Sequence, residues 1–202
     1  MSLPKASQPL ALPWARTSGA GSLATGDVTI ALLACGNASS PTDMLRRMLS
    51  FRSPTYDIVD GCVVAPPGAA YEVEIKLREH APRAGALRVV RCTIDGTEVN
   101  EQLVLRSSST AIVGKFIGWL QDETGMKRIH FTFPTNDRES LIQVGVFEAT
   151  QIGAAGKKRA APSPPASATG ASFEGPLVDS ARYELGAPVA IGTVRFRAAL
   201  PR

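Results

Sequence analysis

From Tyr71 to Leu77 the chain alternates apolar and charged residues without a slip: Tyr71-Glu72-Val73-Glu74-Ile75-Lys76-Leu77. Successive side chains of an extended chain point to opposite faces. Tyr71, Val73, Ile75 and Leu77 therefore share one side, and Glu72, Glu74 and Lys76 the other. A loop with Pro82 and Gly85 follows, and Leu87–Ile94 is a second β-rich run that stops at Asp95-Gly96. Two alternating strands in succession describe a sheet with one face on a core and one in water.

The rest of the chain repeats this signature at short spacing. Val28–Cys35 is apolar and β-branched and ends at the Gly36-Asn37 turn signal. Tyr56–Val59 and Cys62–Ala65 flank Asp60-Gly61, and Pro66-Pro67-Gly68 makes a turn before the central run. Asp95-Gly96 has the composition of a tight hairpin turn, with Thr97–Leu105 returning. Ile112–Leu120 carries Gly114 and Gly118, which predicts a bulge or bend. In Arg128–Phe133, Ile129, Phe131 and Phe133 point inward and Arg128, His130 and Thr132 outward. In Leu141–Ala149, Ile142, Val144 and Val146 share a face, and Val189–Phe196 is a last strand. Ser40-Pro41-Thr42-Asp43 before Met44-Leu45-Arg46-Arg47-Met48-Leu49 is helix-start chemistry. The expectation is an all-β fold, an antiparallel β-sandwich of jelly-roll type with eight or nine short strands and one short helix near 42–50. A parallel α/β fold is disfavoured because helical crossovers are missing.

Composition divides the chain. Residues 1–26 read as an extended N-terminal arm of prolines and small residues, with Leu10, Leu12 and Trp14 as isolated anchors. Residues 27–152 form the sandwich core. Residues 153–175 are a Pro/Ala/Ser-rich insert that carries Lys157-Lys158-Arg159 and too little apolar surface to order itself. Residues 176–202 supply a terminal strand that completes the sandwich.

Chemistry is sparse. Hydrophobic residues are 44% and charged residues 20% of the chain, enough for a core, and a net charge of +4 does not by itself imply nucleic acid. Cys35, Cys62 and Cys92 are odd in number, with no CxxC spacing. They read as buried thiols of a reducing intracellular compartment. The N-terminus lacks the h-region of a classical signal peptide, and no stretch reaches the roughly 18 consecutive apolar residues of a membrane span. With two histidines, His80 and His130, a zinc site is disfavoured, and no metal or other cofactor is expected. His130 is the best candidate base, but a solvated strand histidine is the reading adopted, because a base needs a nucleophile and an orienter in reach. Ser107–Thr110 lacks a nucleophile elbow. Glu72 and Glu74 share a face with Lys76, which fits cross-strand ion pairing better than acid–base work. No catalytic residue and no small-molecule substrate are assigned.

Several of these elements resemble a family of uncharacterised eukaryotic proteins, best known from fungi. They are Val63–Ile75 with its Pro66-Pro67-Gly68 turn, the Ile94–Val99 hairpin, Arg128–Phe133, Leu141–Phe147 and Leu185–Val189. The resemblance covers about half the chain, within residues 60–195, and implies a β-rich fold with no established activity.

Two functional expectations follow. The first is a non-enzymatic structural subunit of a larger multi-protein assembly, such as a capsid or virion component. Its arms dock on neighbouring protein subunits through Leu10, Leu12, Trp14 and Phe173, with Trp119 a further large apolar group in a segment of little regular structure. The second is a free-standing eukaryotic interaction module, nuclear if the basic patch Lys157, Lys158 and Arg159 acts in import, that binds a protein or nucleic acid. Arg88, Arg91, Lys115, Lys127 and Arg128 are candidates for a basic sheet face, although no aromatic ladder interleaves them.

Overall fold

The computed structural model describes residues 15–17, 22–25, 28–35, 56–78, 87–106, 111–122, 126–153, 165–174 and 182–199. The helix expected near 42–50, the anchors Leu10, Leu12 and Trp14, His80, Ser107–Thr110 and the Lys157–Arg159 cluster lie outside these residues. In chain order the strands begin with β1 (Ala15–Thr17), β2 (Ser22–Thr25), β3 (Val28–Ala34), β4 (Asp57–Val59), β5 (Cys62–Ala65) and β6 (Ala70–Arg78). They continue with β7 (Leu87–Ile94), β8 (Thr97–Glu98), β9 (Leu103–Arg106), β10 (Ala111–Phe116) and β11 (Trp119–Leu120). The last are β12 (Lys127–Ile129), β13 (Phe131–Thr132), β14 (Ser140–Gly153), β15 (Ser172–Glu174) and β16 (Arg182–Ala198). The fold is all-β, with no helix among the described residues.

Three sheets form. The first runs β1-β2-β3-β6-β10, with β13 also on β6, and all its pairs are antiparallel. The second runs β4-β5-β16-β14-β7-β8, with β9 on β7; its only parallel pair is β5 with β16. A small third sheet runs β11-β12-β15. One continuous core joins the two large sheets: Val28, Ile30, Leu32, Val73 and Ile75 from the first, Val90, Cys92, Ile142, Val144, Val146, Val194 and Phe196 from the second. This is a sandwich-like arrangement.

The organising alternation behaves as read. Tyr71, Val73, Ile75 and Leu77 are buried. On the opposite face Lys76 Nζ lies 2.8 Å from Glu74, and Lys115 Nζ lies 3.6 Å from Glu72 and 4.0 Å from Glu74. The partner strand differs from expectation. The run Leu87–Ile94 does not share a sheet with Tyr71–Leu77; β6 and β7 lie in opposite sheets, and β7 pairs β14 in register Val144↔Cys92. Both runs face one core, so alternation alone is satisfied by either placement.

Turn chemistry fixes the corners. Asp60-Gly61 and Asp95-Gly96 have φ of 52°, 72° and 50°, 79°, the left-handed pair of a two-residue hairpin turn. The Asp95 Oδ1 also accepts a 2.8 Å hydrogen bond from the Leu141 N–H, which ties the turn to the start of β14. As the two glycines predicted, Ile112–Leu120 breaks: β10 stays in the first sheet, and β11 leaves it for the third. An aromatic cluster closes one end of the core, with Tyr71 5.4 Å from Phe196 and 5.1 Å from Phe133 between ring centroids.

Strands also occur where arm and insert were expected. β1 and β2 fall within 1–26 and extend the first sheet beyond β3. β15 falls within 153–175 and pairs β12 in register Arg128↔Phe173. The last residues of the terminal strand β16, Arg195–Ala198, lie between β5 and β14.

Candidate docking surface

The third sheet is held by polar side chains. The Asn100 side chain accepts from the Leu120 N–H at 3.2 Å and donates to the Leu120 carbonyl at 3.4 Å, in the manner of an added strand. Next to it Glu101 meets Arg128. The Arg128 guanidinium is fully buried and donates to Glu101 Oε1 at 3.4 Å and to the Met126 carbonyl at 3.4 Å. Glu101 Oε2 is enclosed with no hydrogen bond. Burial raises the Glu101 carboxyl above its ordinary range, and the Arg128 charge and hydrogen bond oppose that rise.

Arg128 was expected to point to water, and its burial corrects that reading. On β12 the side opposite the core is covered by the chain around Glu101 and by β15, so alternation places the arginine under a lid of protein. The proposed basic face disperses for related reasons. Arg88 is buried, Arg91 lies 3.3 Å from Glu98 on the second sheet, and Lys115 is paired on the first.

His130 follows β12. Its ring stacks on Phe173, with centroids 4.0 Å apart and planes 15° from parallel, and its backbone N–H donates to the Ala171 carbonyl. It is half-buried in a packed seam rather than the solvated strand histidine expected. Phe173, singled out as an anchor, spends one ring face inside the chain. Two glycines allow the approach. A Cβ on Gly170 would collide with the His130 carbonyl, and one on Gly118 with the Ile129 carbonyl. Ser172 Oγ donates to Gln121 Oε1 at 2.8 Å, which fixes the far side of β15.

The insert is the connection between β14 and β16, which form a long hairpin from Ser140↔Phe196 to Gly153↔Arg182. Its base belongs to the core. Its tip does not. β7 accompanies β14 only as far as Ala149↔Leu87, and β5 accompanies β16 only from Arg195 to Ala198. From Arg182 to Val194 no described strand lies beside β16 on the side away from β14. Along this ribbon Ile152 is 59% exposed, and Val189 and Ile191 are each 47% exposed. The sequence had Val189 in its last strand, but nothing in the alternation marked it as uncovered.

Cys62 and Cys92 are buried and Cys35 is half-buried, all as thiols. Burial pushes the Cys92 thiol up to about 12, so it is an inert core group. Among the described residues no three His, Cys, Asp or Glu side chains converge as a metal site, and no helix is long and apolar enough to cross a membrane. Compared with protein-family models, curated proteins and solved structures, the chain matches none.

Proposed function

We propose that the protein is a non-enzymatic structural subunit of a larger assembly, a sandwich that docks on its neighbours through arms, and that the β14–β16 ribbon is one such arm. The observation that carries the reading is the ribbon: two strands with no third paired beside them among the described residues, an edge of β16 from Arg182 to Val194 that no described strand pairs, and exposed Ile152, Val189 and Ile191. A two-stranded ribbon is marginal in water on its own, and a free edge with apolar side chains is a template for strand addition. Pro188 lies on that edge and breaks its ladder, which limits open-ended growth.

The neighbour that satisfies both features at once is a second copy. Antiparallel pairing of β16 with β16 about a two-fold axis covers both free edges with one contact and leaves none over. Shells and other closed assemblies use subunits of this kind. The test is the mass of the purified full chain in solution across a concentration series, beside the triple variant Ile152→Lys, Val189→Lys, Ile191→Lys. The wild type is expected to associate with rising concentration, and the variant to remain monomeric with an unchanged melting temperature. A wild-type monomer throughout the series, indistinguishable from the variant, contradicts the reading.

A further inference from the structure

The edge strand of the third sheet sits on its neighbour as a bound peptide would. β15 meets β12 in the register pairs Lys127↔Glu174, Arg128↔Phe173 and Ile129↔Ser172. Ser172 and Glu174 are exposed, and Phe173 is half-buried. None of the three belongs to the hydrophobic core, and of the strap residues 165–174 only Ala168 packs against it. The seat is specific all the same. The Phe173 ring stacks on His130 with centroids 4.0 Å apart, and it comes within 3.3 Å of where a Cβ on Gly118 would stand. The missing side chain at Gly118 therefore makes room for a flat ring. The His130 N–H donates to the Ala171 carbonyl, and Ser172 Oγ donates to Gln121 Oε1. Lys127 and Glu174 set opposite charges across the pair. Such an edge accepts an extended strand of small, aromatic and acidic residues: backbone hydrogen bonds hold it and the ring socket selects it.

The path of the chain makes the occupant exchangeable. Gly153 and Arg182 pair with each other at the ribbon tip, so the strap leaves the fold and rejoins it at one point. Lifting β15 off β12 breaks no described pairing of either large sheet. A bare β12 edge would open its backbone groups, and the seam over the fully buried Arg128, to water, so the seat needs an occupant. Every copy of the chain carries both the seat and a strand that fits it.

We infer that β12 is a strand-acceptor site whose occupant in the assembly is β15 of a second copy, exchanged reciprocally between the two chains. The contacts are the same within a chain and between chains, so exchange costs little beyond the ordering of the tethers. The shorter tether, residues 175–181, spans at most roughly 25–30 Å at about 3.3–3.6 Å per residue, which confines exchange to a copy in direct contact. The inference rests on the subunit reading for its partner. It concerns β12 and not the edge of β16, so the two fail separately.

Full-length chains carrying Lys127→Cys alone and Glu174→Cys alone test it. They are mixed at high concentration under reducing conditions, held just below the melting midpoint, cooled and oxidised. Both positions are exposed and directly paired, a spacing within reach of a disulfide. A covalent heterodimer is expected, rising with concentration and lost when Phe173→Ala is added to the Glu174→Cys chain. Each variant oxidised by itself, and the wild type with Cys35, Cys62 and Cys92, is expected to give no comparable dimer. The double variant at low concentration is expected to close within one chain, which checks the register. If the double variant closes but the mixture gives no heterodimer above these controls, exchange is overturned. A heterodimer that survives Phe173→Ala reports random collision and overturns it too, and a double variant that does not close contradicts the seat itself. A failed heterodimer from chains whose mass still rises with concentration removes the exchange and leaves the ribbon contact standing.

Discussion

The two halves of the β14–β16 hairpin have the same backbone pairing and opposite surroundings. In the base, Ser140, Ile142, Val144 and Val146 are buried on β14, and Gly192, Val194, Phe196 and Ala198 on β16, every second residue in each case. From Phe147 to Ile152 and from Arg182 to Ile191 no residue is buried. The ladder continues through the change with irregularities at Phe147, Ala149 and Gly153. What stops is the cover: the first sheet ends near Leu77 and Val28, and β7 begins only at Leu87. Hydrogen-bonded pairing therefore sets the length of the hairpin, while apolar burial decides which half is core. Full burial of each aliphatic side chain in the base contributes about 1.5–3 kcal/mol. The tip withholds that contribution until something covers it.

The largest expected effect lies in the region that the base packs against. Ile75→Asp places a carboxylate in a site 1% exposed among apolar neighbours. It is expected to abolish folding, read as loss of the β-sheet circular dichroism signal and of soluble yield. A folded Ile75→Asp protein would mean that the core is not where alternation and burial both place it.

Next in size is the buried pair of the third sheet. Arg128→Met leaves the Glu101 carboxylate buried without its cation and is expected to cost about 3–5 kcal/mol near neutral pH, measured by denaturant unfolding. Glu101 carries the pH dependence. Its folded-state carboxyl is raised, so the folded protein holds this proton more tightly than the unfolded chain does. Stability from this group accordingly grows as pH falls through the raised folded value and levels off below the ordinary carboxylate range of about 4.3. Removing Arg128 takes away the opposing effect, so the variant should recover more stability on acidification than the wild type. A pH profile parallel to that of the wild type would mean that the pair is not electrostatically coupled.

Smaller again is the seam beneath β15. Gly170→Ala sets a methyl group against the His130 carbonyl. It is expected to cost about 1–3 kcal/mol by overpacking, with loss of the ring-current shift that Phe173 imposes on the His130 ring protons. Retention of that shift would show that the strap reaches its place without the close approach.

The elements of the core were legible because each reads locally: period-two alternation in β6, Asp-Gly at the two hairpin turns, glycines where β10 breaks from β11. Three features were not. Alternation assigns faces but not covers, so Arg128 was placed outward with no sign that the chain around Glu101 and β15 closes over it. It also does not choose partners, so β6 and β7 were read as one sheet although they lie in different sheets. Composition set the insert aside as too poor in apolar residues to order. Yet β15 needs only backbone hydrogen bonds, one Phe173 ring, and two glycines thin enough to let it lie on β12. The exposed ribbon tip depends on where neighbouring strands stop, which no single segment encodes.

The smallest expected effect on folding is at the ribbon itself. Ile152→Lys changes a side chain 59% exposed and should alter unfolding free energy by no more than about 0.5 kcal/mol, while weakening self-association. Equal losses of stability and association would place Ile152 in the core rather than on an arm.

The most direct measurement of the docking role is amide hydrogen exchange along β16 in dilute and in concentrated protein. The account predicts that amides between Arg182 and Val194 that do not bond β14 gain protection as concentration rises, while those of Arg195–Ala198, already beside β5, stay unchanged. Exchange that is fast and independent of concentration along the whole free edge would contradict it.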